Sequence, residues 1–501
     1  MTVAIQAPQP LESCDVSRHY ILLTFGLVTL TLFLGLGSLW LSSLNEARRA
    51  LPIREMFLSG DWLLPTLNGE IYITKPPLYY WIGTFFSHIF GSSSEGVARF
   101  PSAVAGFLTA SLCYLAVKRH SSPWAAVFAL QILVANSGFS VHSRRAELEV
   151  LQALFCFGAL YCAREYLSQS KTSLIYGSYV LLGLAVMTKG PVALVFVTLP
   201  LLVYTLLSKD GRARTLLMNT TGWALCLLVS LPWFLLVTQE IGLEGWQPIL
   251  QRDIAEKITG RVETDPIYSY LLWITLAFSP AVLILFWKPR EAWHDFRGDS
   301  EQKLWLLAFL LPLLIFTLFL EKHAKYMLPA YPALAILLGT RIAKLREQSS
   351  QRGKAILSWI GPVLLLSYIA YFNFGEAHYF AQRYKGVSEL RNFMATQQGS
   401  PPLYSHENFD VRAIYYVGST VRELPEKDLL WRYRDTPPAL FFFDTRPKTW
   451  QPGENCLLKQ INQFMKKDRQ ILIYRNGPDC TVIDGTSTTS SSPTLTSGTS
   501  R

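Results

Sequence analysis

The sequence predicts an α-helical polytopic membrane protein that ends in a small α/β domain, and three observations predict it. Half of the 501 residues are apolar and only 16% are charged. The resulting positive mean hydropathy is one that a soluble chain of this size does not need. About eleven apolar runs of membrane-crossing character follow one another along the chain. At about Asn373 the pattern changes to short stretches that suit strands and an amphipathic helix.

The elements follow in order. Residues 1–19 precede the first apolar run and read as a cytoplasmic amino terminus. The run from Tyr20 to Leu41 is long enough to cross a hydrocarbon core of about 30 Å. It lacks a small-residue cleavage site, so it reads as a retained anchor. Residues 42–100 form an external loop. Within it, Pro77 to Phe90 is apolar and aromatic but short, and two prolines head it. Counting it as a span would put the later basic loops outside. It is therefore expected to be an interfacial or re-entrant helix, with Tyr79, Tyr80 and Trp81 at headgroup depth. The later runs fall near 101–117, 122–141, 150–163, 173–188, 191–207, 217–238, 267–287, 304–320, 326–340 and 355–372, completing a transmembrane domain over 20–372.

The formal net charge of +10 raises the question of nucleic acid, and its placement answers it. Alternate short connections carry Lys118 and Arg119; Arg164 and Lys171; Lys209, Arg212 and Arg214; Lys288, Arg290 and Arg297; and the series Arg341 to Lys354. This is the positive-inside pattern, with the amino terminus inside and the carboxy-terminal domain outside. No nucleic-acid partner is needed to explain it. In that domain, residues 373–484, "ALFFFDT" and "QILIYRN" read as buried strands and "LLKQINQFMKK" as an amphipathic helix. Cys113, Cys156, Cys162 and Cys226 lie in spans and read as small buried hydrophobes. Cys456 and Cys480 lie in the soluble domain, where an external location allows a disulfide. Residues 485–501 read as a disordered tail.

Five polar segments fall on the external side by the same count. They are 45–75, "HSRRAELE" at 142–149, "TKGP" at 188–191, the loop 239–266 and "EKHAKY" at 321–326. They hold the carboxylates Glu46, Glu70, Glu147 and Glu149, and the cations Arg48, Arg49, Lys75, Arg144, Arg145, Lys189, Lys322 and Lys325. Cations gathered at this face run against the charge bias of the loops. A phosphate held at the membrane surface would account for them. His142 and His323 are too isolated to argue for zinc. The apolar runs are nearly free of charge, whereas a transporter, the rival class, would carry ionisable groups near the bilayer centre.

The stretch "NEARRALPIREMFLSGDWLLPTLNGEIYITKPPLYYW", followed by "VARFPSAVAG", "RRAELEVL", "LAVMTKGPVAL", "LPWFLLV" and "KYMLPAYPALAILLG", resembles bacterial membrane glycosyltransferases of the GT-C class. The likeness is to the aminoarabinose-transferase and protein O-mannosyltransferase superfamily, and it runs in order through most of the membrane region. It implies transfer of a sugar from a polyprenyl-phosphate donor to a lipid, glycan or protein acceptor. The expected place is the extracytoplasmic face of a bacterial inner membrane, and the chain is expected to act as a monomer. Lys75 matches the family's lysine before Pro-Pro, and Arg48 the arginine of its first-loop motif. Lys189, and Lys322 or Lys325 beside Tyr326, are further candidates to hold the donor phosphate.

Three positions depart from the family pattern. Asn45 stands where an Asp is usual, Glu149 replaces an Asp, and Thr74 stands where an acid often precedes the lysine. Asn45 cannot take a proton at neutral pH. Three readings stay open: a base shifted to Glu46 or Glu149, an acceptor that is already anionic, or an inactive homologue that still binds polyprenyl lipid. Glu46 and Glu149 could offer a divalent cation two carboxylates, but no cofactor is expected to be required. Trp62, Trp81, Trp233 and Trp246 are candidates to stack on sugar or prenyl groups, or to anchor the protein at the interface.

Overall fold

The protein is described from a computed structural model. It describes residues 16–484 except 209, 248–264, 299, 382–383, 398–400, 436–437, 445–449, 453–455, 463, 465–468, 478–479 and 481. The amino-terminal 15 residues, most of the loop 239–266 and the tail 485–501 thus lie outside the described residues. The chain divides into two compact units, one of residues 1–41 with 45–377 and one of 42–44 with 378–501.

Every apolar run contains helix. In the first unit these are α1 (Arg18–Phe33), α4 (Glu95–Lys118), α5 (Pro123–Val134), α6 (Ser137–Ser143), α7 (Leu148–Gln169), α8 (Thr172–Lys189), α9 (Ala193–Phe196), α10 (Thr198–Ser208) and α12 (Thr220–Ile241), followed by Ser269–Ala277, Ser300–Thr317, Tyr331–Gln348 and Gln351–Ala370. Among the described residues, four helices are long and apolar enough to cross a membrane. A fifth span results if α5 and α6, bent by 67° against each other, count as one. The bend has a local cause: Asn136 interrupts the run and caps α6, its side-chain oxygen accepting from the Phe139 amide at 2.8 Å. Leu227, Leu228, Leu231, Leu235 and Leu236 on α12, and Ile356, Trp359, Val363 and Leu366 on Gln351–Ala370, lie exposed. Such surfaces are what lipid contact requires.

The interior is tighter. Helix Tyr331–Gln348 packs along α5, and a Cβ on Gly339 would stand 2.6 Å from the Ala129 amide nitrogen. The two backbones therefore touch, as small residues allow between membrane helices.

The external loop folds as a helical hairpin. Helices α2 (Leu44–Ser59) and α3 (Leu78–Phe90) are joined through strands β1 (Thr66–Leu67) and β2 (Glu70–Ile71). Asn68 and Gly69 form the turn with φ of 61° and 81°, the left-handed pair that a two-residue hairpin needs. The Glu55 carboxylate secures it by accepting from the Asn68 amide at 2.8 Å. Tyr79 and Tyr80 are fully buried within the protein. Each phenol has a partner inside: Tyr79 donates to the Ala98 carbonyl at 3.0 Å, and Tyr80 accepts from Arg49 Nη1 at 2.9 Å. A buried phenol needs such a partner.

The second unit is an α/β fold. Its sheet runs in the order β4 (Arg422–Leu424), β3 (Leu403–His406), β5 (Leu440–Phe443), β8 (Ile471–Arg475), β7 (Leu457–Ile461). The first two pairings are parallel and the last two antiparallel. The stretch expected to be an amphipathic helix begins as β7. Leu457 and Ile461 suit either period, and pairing with β8 decides the outcome, with a register shift between Leu457 and Lys459. Cys456 and Cys480 are disulfide-bonded, with Cα atoms 5.5 Å apart.

Candidate active site

Glu147 is the N-cap of α7, with extended backbone (φ −133°, ψ 136°). Ser102 fixes that backbone: its hydroxyl donates to the Glu147 carbonyl at 3.0 Å and accepts from the Glu147 amide at 3.3 Å. Tyr79 holds the same hydroxyl at 2.9 Å. Glu149 lies in the first turn of α7. Two residues apart within a helix would point to different sides. The extended cap instead lets both carboxylates meet one ammonium, Lys325, at 2.9 Å from Glu147 Oε2 and 3.4 Å from Glu149 Oε1.

Lys189, the last residue of α8, closes the cluster. Its Nζ donates to Glu149 Oε1 at 3.0 Å and stands 4.4 Å from the centre of the Tyr326 ring. Lys75 is near enough for its charge to act on Lys189. The second Glu149 oxygen is buried and makes no hydrogen bond among the described residues. Burial, followed by the neighbouring Glu149 charge, pushes the Glu147 carboxyl up to about 7, against the pull of Lys325. Beside Lys325 opens a cavity of about 220 Å³, lined also by His142, Trp273 and Tyr331. His142 Nδ1 lies 3.9 Å from Glu147 Oε1.

The remaining candidates sit as follows. Glu46 is completely buried and accepts from Arg99 Nε at 2.7 Å and from the Ala146 amide at 3.2 Å. Asn45 and Arg48 are half-buried on α2, where the Arg48 charge acts on Tyr72. Lys322 is drawn into carbonyls, donating to Phe319 O at 2.7 Å and Asp265 O at 3.1 Å. Of the two lysines in "EKHAKY", it is therefore Lys325 that joins the cluster. Arg144 donates to the Thr31 carbonyl at 2.8 Å, and Arg145 pairs with Glu376 at 3.1 Å. Among the described residues no group of three or more His, Cys, Asp or Glu side chains is placed to hold a metal ion.

Ile73, Met187, Trp233 and Val237 form a buried apolar cluster with Trp81 and Trp246 packed against it, two residues away in sequence from Lys75 and Lys189. The Trp233 indole donates to the Leu63 carbonyl at 2.9 Å and Trp81 to the Trp62 carbonyl at 2.6 Å. Sequence reasoning gave Glu147 no role and did not single out Arg99. The signal for Glu147 was its place directly before a helical run, where capping geometry frees a side chain from helical spacing.

Residues 74–237 match the family of dolichyl-phosphate-mannose-protein mannosyltransferases. An uncharacterized protein of Aquifex aeolicus is 31% identical over 68% of this chain and 67% of its own length. An undecaprenyl phosphate-alpha-4-amino-4-deoxy-L-arabinose arabinosyl transferase of Pseudomonas fluorescens is 31% identical over 64% of this chain, the match spanning 59% of that relative. In fold, the chain is similar to ArnT from Cupriavidus metallidurans bound to undecaprenyl phosphate, with TM-score 0.72 and 17% identity over 91% of this chain and 98% of the other. The oligosaccharyltransferase of Archaeoglobus fulgidus gives TM-score 0.57 at 11% identity, covering 81% of this chain and 64% of the other. Sequence family, curated relatives and fold agree, and the chain belongs to the GT-C glycosyltransferase superfamily.

Proposed function

We propose that the protein transfers a sugar from a polyprenyl-phosphate donor to a lipid, glycan or protein acceptor at the extracytoplasmic face of a bacterial inner membrane. The carboxy-terminal unit then lies on that same side. The observation that carries the reading is the cluster of Glu147, Glu149, Lys189 and Lys325, gathered from three separate polar segments. As the anomeric carbon–oxygen bond breaks, negative charge grows on the departing lipid phosphate. Fixed ammonium groups at Lys75, Lys189 and Lys325 would stabilise it without reorganising. The apolar cluster of Ile73, Met187 and Trp233 beside the lysines suits a prenyl chain.

An acceptor hydroxyl must lose a proton as the new bond forms, and Glu147 is the group matched to take it near neutral pH. Glu149, between two lysines, serves to hold them in place. Glu46, bound to Arg99, serves to position the start of α7. A second reading has one observation in its favour: Asn45 offers no base and its neighbour Glu46 is neutralised, as in a homologue that binds polyprenyl lipid without chemistry.

Purified protein given a panel of radiolabelled polyprenyl-phosphate sugars tests both readings. Transfer by wild type that falls by about 10²-fold or more in Lys75→Ala and in Glu147→Gln, with the fold kept, supports the enzyme. Absence of transfer by wild type, with activity gained in Asn45→Asp, supports the lipid-binding homologue. Wild-type turnover in Lys75→Ala defeats the phosphate assignment.

A further inference from the structure

The geometry points to a second lipid site, at the end of the membrane unit remote from the Glu147–Lys325 cluster, for a phospholipid with a zwitterionic aminophosphate headgroup. This inference stands independently of sugar transfer. Helix Tyr331–Gln348 has 18 residues, about 27 Å at 1.5 Å per residue. Lys325 and Tyr326 precede its start, while Arg341, Lys344 and Gln348 lie towards its end. A charged cavity lies at that far end, and an apolar one reaches from beside it to Ala277, which also lines the cavity next to Lys325. One, of about 450 Å³, is lined by Glu291, Asp295, Arg341, Lys344 and Glu347. The other, of about 330 Å³, is apolar, with Phe128, Phe278, Leu283, Leu345, Leu357 and Leu364 in its wall. Trp287 lines both. A charged chamber opening beside an apolar one matches an amphiphile, head in the first and acyl chain in the second.

The charges select the head. Arg341 is 1% exposed. It donates through Nη1 to Asp295 Oδ2 at 3.1 Å and through Nη2 to the Trp287 carbonyl at 3.0 Å. Its Nε is buried and makes no hydrogen bond among the described residues. Lys344 donates to the same Asp295 oxygen at 2.6 Å. One carboxylate between two cations leaves positive charge for a phosphate. Glu291 and Glu347 also line this chamber with His294, and Glu291 is already paired with Lys288 at 3.1 Å. Arg341, Lys344 and Lys288 thus stand against Asp295, Glu291 and Glu347, a balance that a zwitterion keeps and a purely anionic head does not.

The test is the thermal stability of the purified full chain in detergent, titrated with phosphatidylethanolamine or with phosphatidylglycerol of the same acyl chains. Phosphatidylethanolamine is expected to raise the unfolding temperature at the lower lipid fraction. Lys344→Gln should weaken its half-saturation by about tenfold, and Leu357→Trp, which fills the apolar chamber, should abolish the response. The Lys344 side chain is 44% exposed, so its loss leaves the fold intact even if the tryptophan disturbs packing. Equal responses to both lipids, or an unchanged response in Lys344→Gln, overturns the proposal. So does competitive displacement by undecaprenyl phosphate, which would give the chamber to a polyprenyl chain.

Discussion

Arg99 holds Glu46 and the end of the first span at once: its Nε lies 2.7 Å from Glu46 Oε1, while its Nη atoms donate to the carbonyls of Leu36, Leu39 and Trp40 at 2.9, 2.8 and 3.0 Å. Removing the guanidinium would take the counter-charge from a buried carboxylate, leaving it the Ala146 amide, and a donor from three carbonyls. Arg99→Met should therefore lower stability by about 3–5 kcal/mol, measured by unfolding of the purified protein. Glu46→Gln keeps a hydrogen-bond acceptor and should cost less. If Glu46→Gln instead keeps full stability and loses all transfer, Glu46 takes part in the chemistry and the positioning role fails.

The rate of transfer should fall as pH falls through about 7, where burial and Glu149 place the Glu147 carboxyl. The sign follows from the role: the ionised form accepts the proton, and the protonated form below that pH does not. Glu147→Gln should flatten this acid limb. An acid limb that survives the substitution assigns it to another group.

In the second unit, the disulfide of Cys456 and Cys480 closes a separation of 24 residues. A loop of that size stabilises by about 3 kcal/mol in the chain-entropy picture. Cys456→Ser should lower the stability of this unit by that order, read by hydrogen exchange of β5 and β8 in the whole chain. Equal protection with and without the bond would mean the sheet does not rely on it.

His406 and Asp444 lie at the ends of β3 and β5, with Nε2 2.6 Å from Oδ1. The Asp444 bond raises His406 above its usual range, while the His406 bond, ahead of Arg469, brings Asp444 down to about 2. The histidine's contribution is complete below about 6.5 and is lost as pH rises through its elevated value. That of Asp444 is complete above about 4 and is lost as pH falls through about 2. Protection of β3 and β5 against exchange should thus be greatest between about pH 4 and 6.5, and His406→Gln should remove the alkaline decline.

The helices were legible because apolar runs of this length have few other fates. Lys189 and Lys325, which the structure brings to the same carboxylates, stood out in the sequence because cations in segments expected outside run against the charge bias. Other features depend on tertiary pairing that spacing does not reveal. Arg99 lies 53 residues from Glu46, within an apolar helix, and nothing in either local pattern announces the pair. Lys322 and Lys325 look equivalent in "EKHAKY", yet carbonyls hold one and carboxylates the other. Glu147 escaped because its direction is set by the cap conformation and by Ser102, not by helical period. In the second unit, Leu457 and Ile461 fit a helix as well as a strand until β8 supplies a partner.

Lys325, divided between Glu147 and Glu149, also makes the site a reservoir for hydrogen ions. An anion that draws the Lys325 ammonium towards itself leaves the buried Glu147 carboxylate without its cation, beside a Glu149 that Lys189 still holds, and Glu147 then binds a proton more readily. Binding of a polyprenyl phosphate should accordingly take up as much as about one proton per site near neutral pH. The heat of binding would then vary with the ionisation enthalpy of the buffer. A heat that is the same in every buffer would mean that both lysines keep their carboxylates when the donor arrives.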